Sequence, residues 1–230
     1  RQGMNVYTRH SARLAMVLAA FALVGTTLLA LTYSATRDNI AASEKRAKLA
    51  LIAQILPATL YDNDIIRDAV EQPRSSGLGT TEPTLVYRAL KDGKPVAAVL
   101  EIIAPDGYAG KIKLLIAIKV NGEVSGVRVV VHKETPGLGD YIEIARSNWI
   151  KTFDGTSLDK HESNAWKVKK DGGQFDQFAG ATITPRAVVK AITQGLQFFD
   201  ANKAKIMEFK AGKTQTVDTE AGKAPAKEAK

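Results

Sequence analysis

The sequence contains no cysteine and only three histidines, and each shortage removes a class of function. Without cysteine, the 230-residue chain can hold no thiolate nucleophile, no disulfide and no cysteine-ligated zinc or iron–sulfur site. The histidines, His10, His132 and His161, lie far apart in the sequence, which argues against a histidine-rich metal centre. We therefore predict that the chain has no metal site.

Basic residues outnumber acidic ones by 32 to 24, which gives a formal net charge of +8. Such an excess raises the question of a nucleic-acid partner. However, Arg1, Arg9 and Arg13 precede the first apolar run, and many later basic residues stand beside acidic ones, as at residues 44–46. No basic run is interleaved with aromatic residues. The charge therefore predicts a solvated surface and no nucleic-acid partner.

Residues 14–33 form an apolar run that carries no charged side chain. As a helix, the run would span roughly 30 Å, the thickness of the hydrocarbon core of a bilayer. The alternative is a cleaved signal peptide, but its apolar region is usually about 7–15 residues long. Residues 33–35, Tyr-Ser-Ala, also make a poor cleavage site. The pattern favours a retained transmembrane helix over residues 14–36.

The basic residues at the two ends of this run predict its orientation. Arg9 and Arg13 place the tail, residues 1–13, in the cytoplasm, because cytoplasmic segments are enriched in Lys and Arg. The larger C-terminal part would then lie on the outer side of the membrane. Basic residues at positions 37, 45, 46 and 48 reduce this asymmetry.

The rest of the chain changes character twice. Residues 38–56 have an amphipathic helical pattern that ends before Pro57, and we predict a helical connector over residues 37–83. From Thr84, short β-rich runs are separated by Asp-Gly and Asn-Gly pairs, which are typical of hairpins in an antiparallel sheet. Helices are expected near residues 141–146 and 185–199. The pattern predicts an α+β domain over residues 84–210, and the polar residues 211–230 predict a disordered tail.

Residues 176–185 contain a glycine and end in the predicted start of a helix. Thr184 is a good N-cap, and Pro185 suits the first helical position. Because a helix N-terminus stabilises a phosphate, and Gly180 allows the backbone to approach closely, this segment is a candidate phosphate site. A loop followed by a capped helix, with no ligand, explains the same features.

The segment also resembles a known modification motif. Asp176, two further residues and then Ala179-Gly180-Ala181-Thr182 are similar to the motif at which the bacterial flavin transferase joins FMN to threonine, using FAD as donor. The resemblance implies that Thr182 is the acceptor, that the transferase recognises Asp176, and that Thr184 is the second candidate acceptor. Ala179 departs from the motif, which usually has Ser or Thr there, and this difference could slow the modification.

A second motif, Glu-Thr-Pro-Gly-Leu-Gly at residues 134–139, resembles a loop of the FMN-binding domain family. That family includes the G subunit of the Rnf electron-transport complex and the C subunit of the sodium-pumping NADH:quinone reductase. A Pro-Gly turn allows the backbone to approach a flat ring, and Leu138 would supply apolar contact. Glu134 would hydrogen-bond the ring or only cap its turn. The predicted FMN contacts are Gly180, Ala181, Thr184, Glu134, Thr135, Gly137 and Leu138.

Residues 104–108 and 166–173 also resemble the Rnf protein. The Phe-Asp-Gln-Phe sequence at residues 175–178 and the Thr184-Pro185 pair favour the Rnf protein over its sodium-pump relative. The resemblance implies an FMN-carrying electron-transfer subunit in the bacterial inner membrane, with its domain in the periplasm. Its partners would be the other Rnf subunits, the membrane and, during maturation, the flavin transferase. The complex would couple electron transfer between ferredoxin and NAD to movement of Na⁺ or H⁺.

Three alternatives stay open. The chain could belong with the sodium-pump protein, or it could be an anchored binding module that never receives FMN. It could also be a stand-alone flavin reductase, although no Gly-x-Gly-x-x-Gly loop after a strand supports NAD(P)H binding.

Overall fold

The structure, a computed structural model, describes residues 2–160 and 163–208. The tail predicted to be disordered, residues 211–230, lies outside the described residues. The chain divides into two units, Arg1–Ala50 and Leu51–Lys230.

The first element is one long helix, α1 (Gln2–Ile55). The sequence predicts a membrane helix and a separate connector helix, but α1 runs unbroken through Arg37 and Asp38. The first proline of the chain is Pro57, and a residue that precedes proline disfavours helical geometry, so the helix ends there. Among the described residues, the stretch His10–Ile55 is long and apolar enough to cross a membrane.

Two hydroxyl groups within the apolar run have backbone partners. Thr27 and Thr32 each donate a hydrogen bond to the carbonyl oxygen four residues earlier, at 2.7 and 2.8 Å. Such bonds allow a hydroxyl to lie in an apolar environment without an unpaired donor. The large apolar side chains of the run, such as Leu18 and Leu29, are exposed. This surface suits a lipid environment.

The second unit is built on a five-stranded antiparallel sheet in which each strand pairs with the next along the chain. This confirms the predicted α+β class with an antiparallel sheet. The Asp92-Gly93 pair forms a two-residue hairpin turn with φ values of 50° and 73°, as its sequence predicts. The strands are β1 (Val70–Gln72), β2 (Thr84–Lys91), β3 (Lys94–Gly107), β4 (Gly110–Lys119) and β5 (Val124–Val131).

The prediction of a helical connector through residue 83 needs correction. The helix stops at Ile55, and the following segment contains 3-10 turns at Ala58–Leu60 and Ser76–Leu78. It also contains β1, which pairs with β2 along the edge of the sheet. A three-residue strand is too short to show an alternating pattern, so pairing with β2 rather than local sequence determines it.

One face of the sheet is covered by helix α2 (Ile183–Met207). Its buried side chains include Val188, Ile192 and Phe199, which join the core with the residues of β3 and β4 that face them. Gly195 allows close approach, because a Cβ at this position would lie 3.2 Å from Ile102 Cγ2. The sequence predicts this helix over residues 185–199, and the observed helix is longer at both ends.

The end of α1 contacts the strand at the other edge of the sheet. Arg128 on β5 is buried and donates hydrogen bonds to Gln54 Oε1 at 3.0 Å and to the Gln54 carbonyl oxygen at 3.3 Å. A Cβ on Gly126 would lie 3.0 Å from Ile55 Cα, so glycine makes room for the helix end. These contacts fix residues 51–55 to the sheet.

Between β5 and α2 the described residues contain short 3-10 turns and loops. The helix expected near residues 141–146 is a single 3-10 turn, Asp140–Ile142. The amide of Glu143 donates to the carbonyl oxygen of Asp140, which closes this turn after one hydrogen bond. The segment is too short to continue as an α-helix.

Candidate functional site

The two motifs singled out from the sequence lie against each other. A Cβ on Gly180 would be 3.9 Å from Leu138 Cδ2, and the Thr184 hydroxyl donates a hydrogen bond to Glu134 Oε2. The loop after β5 and the start of α2 therefore form one site.

A tight turn leads into helix α2. The amide of Ala181 donates to the carbonyl oxygen of Phe178 at 3.1 Å, and Gly180 has φ +76°. This left-handed conformation is easily adopted by glycine and costs free energy for other residues. The Phe178 ring packs against Trp149 and Tyr141, with ring centroids 5.3 and 5.5 Å away. The turn is thus held by aromatic packing, while Gly180 stays exposed.

Thr182, the predicted acceptor, stands at the N-cap of α2 and is half-buried. Within the described residues its side chain makes no capping hydrogen bond. The sequence predicts Thr184 as the cap, but the helix begins at Ile183, so Thr184 lies within the first turn. Pro185 is tolerated there because the first N–H groups of a helix have no intrahelical partner.

Glu134 and Thr184 point into the protein, although both are predicted FMN contacts. Their exposed fractions are 4% and 1%. Glu134 Oε1 accepts a hydrogen bond from the amide of Ala109 at 3.0 Å, while Oε2 accepts one from the Thr184 hydroxyl. Both carboxylate oxygens are therefore engaged by protein donors.

His132 orders the start of the loop, a role that the sequence alone does not indicate. Its Nδ1 accepts a hydrogen bond from the amide of Glu134 at 3.0 Å. Nε2 therefore carries the proton in the neutral ring, and it lies 2.6 Å from Glu143 Oε1. A histidine two residues before the loop gives no local signal, because the partner carboxylate follows eleven positions later.

The loop itself is closed by its own backbone. The carbonyl oxygen of Thr135 accepts hydrogen bonds from the amides of Leu138 and Gly139, at 3.1 and 3.0 Å. The amide of Gly137 donates to Asp140 Oδ1 at 2.8 Å. Thr135, Gly137 and Leu138 are exposed, whereas Gly139 is buried against Glu134. Gly137 thus lies on the accessible side of the loop, and Gly139 on the inner side.

Charged side chains near the turn form pairs. Asp176 is exposed and lies 2.5 Å from Lys169 Nζ, while its carbonyl oxygen accepts a hydrogen bond from Trp149 Nε1. Arg186 donates two hydrogen bonds to the Asp171 carboxylate at 2.6 and 2.8 Å, and these bonds lower the pKa of that carboxyl. Lys169 therefore neutralises Asp176 in this structure.

The residues around Thr182 suit a phosphate joined to a flat, largely apolar ring. The hydroxyl lies at the start of α2, where N–H groups and the helix dipole favour negative charge. Three large apolar side chains near the turn are exposed at 46%, 40% and 46%: Leu138, Tyr141 and Ile183. An apolar ring placed against them would remove them from water. Tyr141 and Ile183 are not among the predicted contacts, because nothing in the sequence separates an exposed aromatic or aliphatic residue from a core one.

Two family models match parts of this chain. A family model described as an FMN-binding domain matches residues 107–197, and one described as the RnfG N-terminal region matches residues 4–55.

Relatives match over most of their length. The G subunit of the ion-translocating oxidoreductase complex of Pseudomonas aeruginosa is 46% identical over 205 residues, which are 89% of this chain and 96% of the relative. The proteins of the same name in Shewanella amazonensis and Vibrio cholerae are each 45% identical, over 190 and 191 residues. These alignments cover 83% of this chain in both cases, and 88% and 91% of the two relatives. The chain therefore belongs to the RnfG family, the G subunits of ion-translocating oxidoreductase complexes.

Proposed function

We propose that this chain is the membrane-anchored flavin electron carrier of an Rnf complex, with FMN joined through its phosphate to Thr182 Oγ1. The observation that carries the attachment is the position of Thr182. Its hydroxyl makes no capping bond within the described residues and follows an exposed turn, next to exposed apolar side chains. Membership of the RnfG family and the FMN-binding domain support the carrier role.

Attachment is a phosphoryl-group transfer from FAD. Thr182 Oγ1 forms a bond to the phosphorus on the FMN side, the phosphoanhydride bond breaks, AMP leaves, and the hydroxyl proton passes to solvent. A flavin transferase would recognise Asp176, whose side chain is exposed beside the turn. Ala179, where the motif usually has Ser or Thr, is also exposed, so a transferase would be able to contact it directly.

When bound, FMN supplies redox chemistry that no side chain of this protein provides. The first N–H groups of α2 would stabilise the phosphate, because the helix dipole places positive charge at that end. Leu138, Tyr141 and Ile183, which are exposed, would supply apolar contact to the ring. Gly180, Ala181, Thr135 and Gly137, which are exposed or half-buried, would be further FMN contacts.

The anchor and the domain have separate roles in this proposal. Residues 14–36 would cross the membrane, with residues 1–13 in the cytoplasm and the FMN-binding domain, residues 84–210, in the periplasm. The apolar run 14–33 has no Asp, Glu, Lys, Arg or His, so it offers no path for an ion. Movement of Na⁺ or H⁺, coupled to electron transfer between ferredoxin and NAD, would belong to the partner subunits.

Intact mass tests the attachment. The full chain is co-expressed with a flavin transferase, purified in detergent and analysed by intact-mass spectrometry. We expect a mass increase of one FMN less one water. Thr182→Ala should abolish the increase and Thr182→Ser should keep it, since serine retains the hydroxyl. Thr81→Ala, a matched change at an exposed threonine outside both motifs, should remain modified. An unmodified wild-type chain, or a modified Thr182→Ala chain, would contradict the proposal.

A reduction assay separates the carrier from a stand-alone reductase. NADH added to the purified, FMN-loaded chain should leave the flavin absorbance unchanged in the absence of other subunits. Rapid bleaching would instead favour the reductase.

A further inference from the structure

A buried carboxylate lies where three segments of the FMN-binding domain meet. Glu134, in the loop after β5, accepts a hydrogen bond from the amide of Ala109 in the β3–β4 hairpin. It accepts another from the Thr184 hydroxyl in the first turn of α2. Burial of a carboxylate is unfavourable unless its oxygens accept hydrogen bonds. These two hydrogen bonds therefore allow Glu134 to be buried.

Two glycines make the space that the carboxylate occupies. A Cβ on Gly107 would lie 2.9 Å from Glu134 Oε1. A Cβ on Gly139 would lie 2.9 Å from Glu134 Oε2 and 3.0 Å from Thr184 Oγ1. The second glycine of the loop motif therefore serves an internal contact between Glu134 and Thr184, whereas the sequence suggests close approach of a ring for the glycines of this loop.

The Glu134–Thr184 hydrogen bond lies close in sequence to Thr182, the predicted acceptor. Thr184 is two residues after Thr182 in the same helix turn, and Leu138 is four residues after Glu134 in the same loop. The amide of Glu134 is held in turn by His132 Nδ1. The Glu134–Thr184 bond thus joins the element that carries Thr182 to the element that carries Leu138.

We propose that Glu134 is a positioning residue: through Thr184 it holds the first turn of α2 so that the Thr182 hydroxyl is presented beside Leu138. The carboxylate acts from inside the domain. It also places negative charge near the positive end of the α2 dipole, which favours the same arrangement. This role rests on the proposed function of Thr182 as acceptor.

Three threonine variants of the full chain in detergent test the role. Thr184→Val removes the donor and keeps the shape, while Thr184→Ser keeps the donor. Thr193→Val is the matched control, since Thr193 lies later in α2 and its hydroxyl donates within the helix to the Val189 carbonyl oxygen at 2.8 Å.

The first readout is hydrogen exchange of the Ala109 amide in chains made without the transferase. Because the Glu134 carboxylate loses one of its two donors, Thr184→Val should speed this exchange by roughly tenfold or more. Thr184→Ser should restore protection, and Thr193→Val should not change it. The reporter lies in a hairpin far from residue 184 in sequence, so local fraying of α2 would not produce this pattern.

The second readout is the initial rate of FMN incorporation from FAD by purified transferase, followed by intact mass. We expect Thr184→Val to lower this rate by about tenfold or more and Thr184→Ser to recover it, because presentation of Thr182 depends on the same bond. Wild-type incorporation in Thr184→Val would overturn the positioning role alone, whether or not the Ala109 amide becomes less protected. A wild-type chain that takes up no FMN would overturn the proposed function and this role together.

Discussion

Two glycines of the loop at residues 134–139 should respond to substitution for different physical reasons. Gly139 is buried with φ −90°, a backbone conformation open to any residue, but a Cβ there would lie 2.9 Å from Glu134 Cβ. Gly137 is exposed with φ +77°, and no described atom beyond its chain neighbours lies within 4 Å of the Cβ position. Gly139 is therefore required for space, and Gly137 for conformation.

The expected magnitudes follow from these two causes. Gly139→Ala inserts a methyl group into a filled position, and such overpacking costs about 1–3 kcal/mol of unfolding free energy. Gly137→Ala places a Cβ in the left-handed region, which costs about 1–2 kcal/mol. Asparagine tolerates that region better than alanine, so Gly137→Asn should be milder than Gly137→Ala. Gly139→Asn should be more damaging than Gly139→Ala, because the side chain is larger.

Thermal unfolding of the full chain in detergent measures these differences. For a chain of this size, about 1 kcal/mol corresponds to roughly 2–4 °C in Tm. We expect Tm to fall by roughly 4–8 °C for Gly139→Ala and by about half of that for Gly137→Asn. The explanation would be refuted if Gly139→Asn and Gly137→Asn lowered Tm equally, or if Gly139→Ala had the wild-type Tm. Either result would mean that steric space at Gly139 and backbone conformation at Gly137 are not the separate causes.

Two further predictions concern polar contacts away from the loop. Arg128→Lys should lower the unfolding free energy by about 1.5–3 kcal/mol in urea titration, because one ammonium cannot reproduce the guanidinium bonds to Gln54. Wild-type stability in this variant would contradict the role of that contact. Hydrogen bonds from Lys119 and Lys160 lower the pKa of Glu123 from 4.5 to about 2. Since this folded-state pKa is depressed, the stabilisation is present above pH 4.5 and is lost as the pH falls towards 2. The Tm difference between wild type and Glu123→Gln should therefore close over that interval, and a constant difference would argue against the ion pairs as its source.

Local signals are sufficient for the features that depend on neighbouring residues. Asp92-Gly93 predicts a hairpin turn because few residue pairs adopt the required positive φ values, and the structure has that turn. Strand β1 is not predictable, since it consists of three residues whose strand conformation depends on pairing with β2. The continuity of α1 is also hidden in the sequence, because the charged pair Arg37 and Asp38 ends the apolar run without breaking the helix.

At the candidate site, the sequence identifies the two motifs and the structure supplies their orientation. Thr182 and Thr184 are both good caps, and nothing local decides which one begins the helix. The inward direction of Glu134 depends on Thr184, fifty residues later, and on Ala109, twenty-five residues earlier. Contacts between distant segments determine which motif residues line the accessible surface and which support it.

The exposed turn before Thr182 has a consequence for the order of events during maturation. Ala179 and Gly180 are accessible in the folded domain, and the Phe178 ring that precedes them packs against Trp149 and Tyr141. If a transferase recognises this turn, as proposed, it would act on a folded chain, and attachment of FMN would follow folding. Covalently bound flavin would then mark the chains whose domain had folded. A chain in which the turn was misfolded would carry no flavin and would stay colourless.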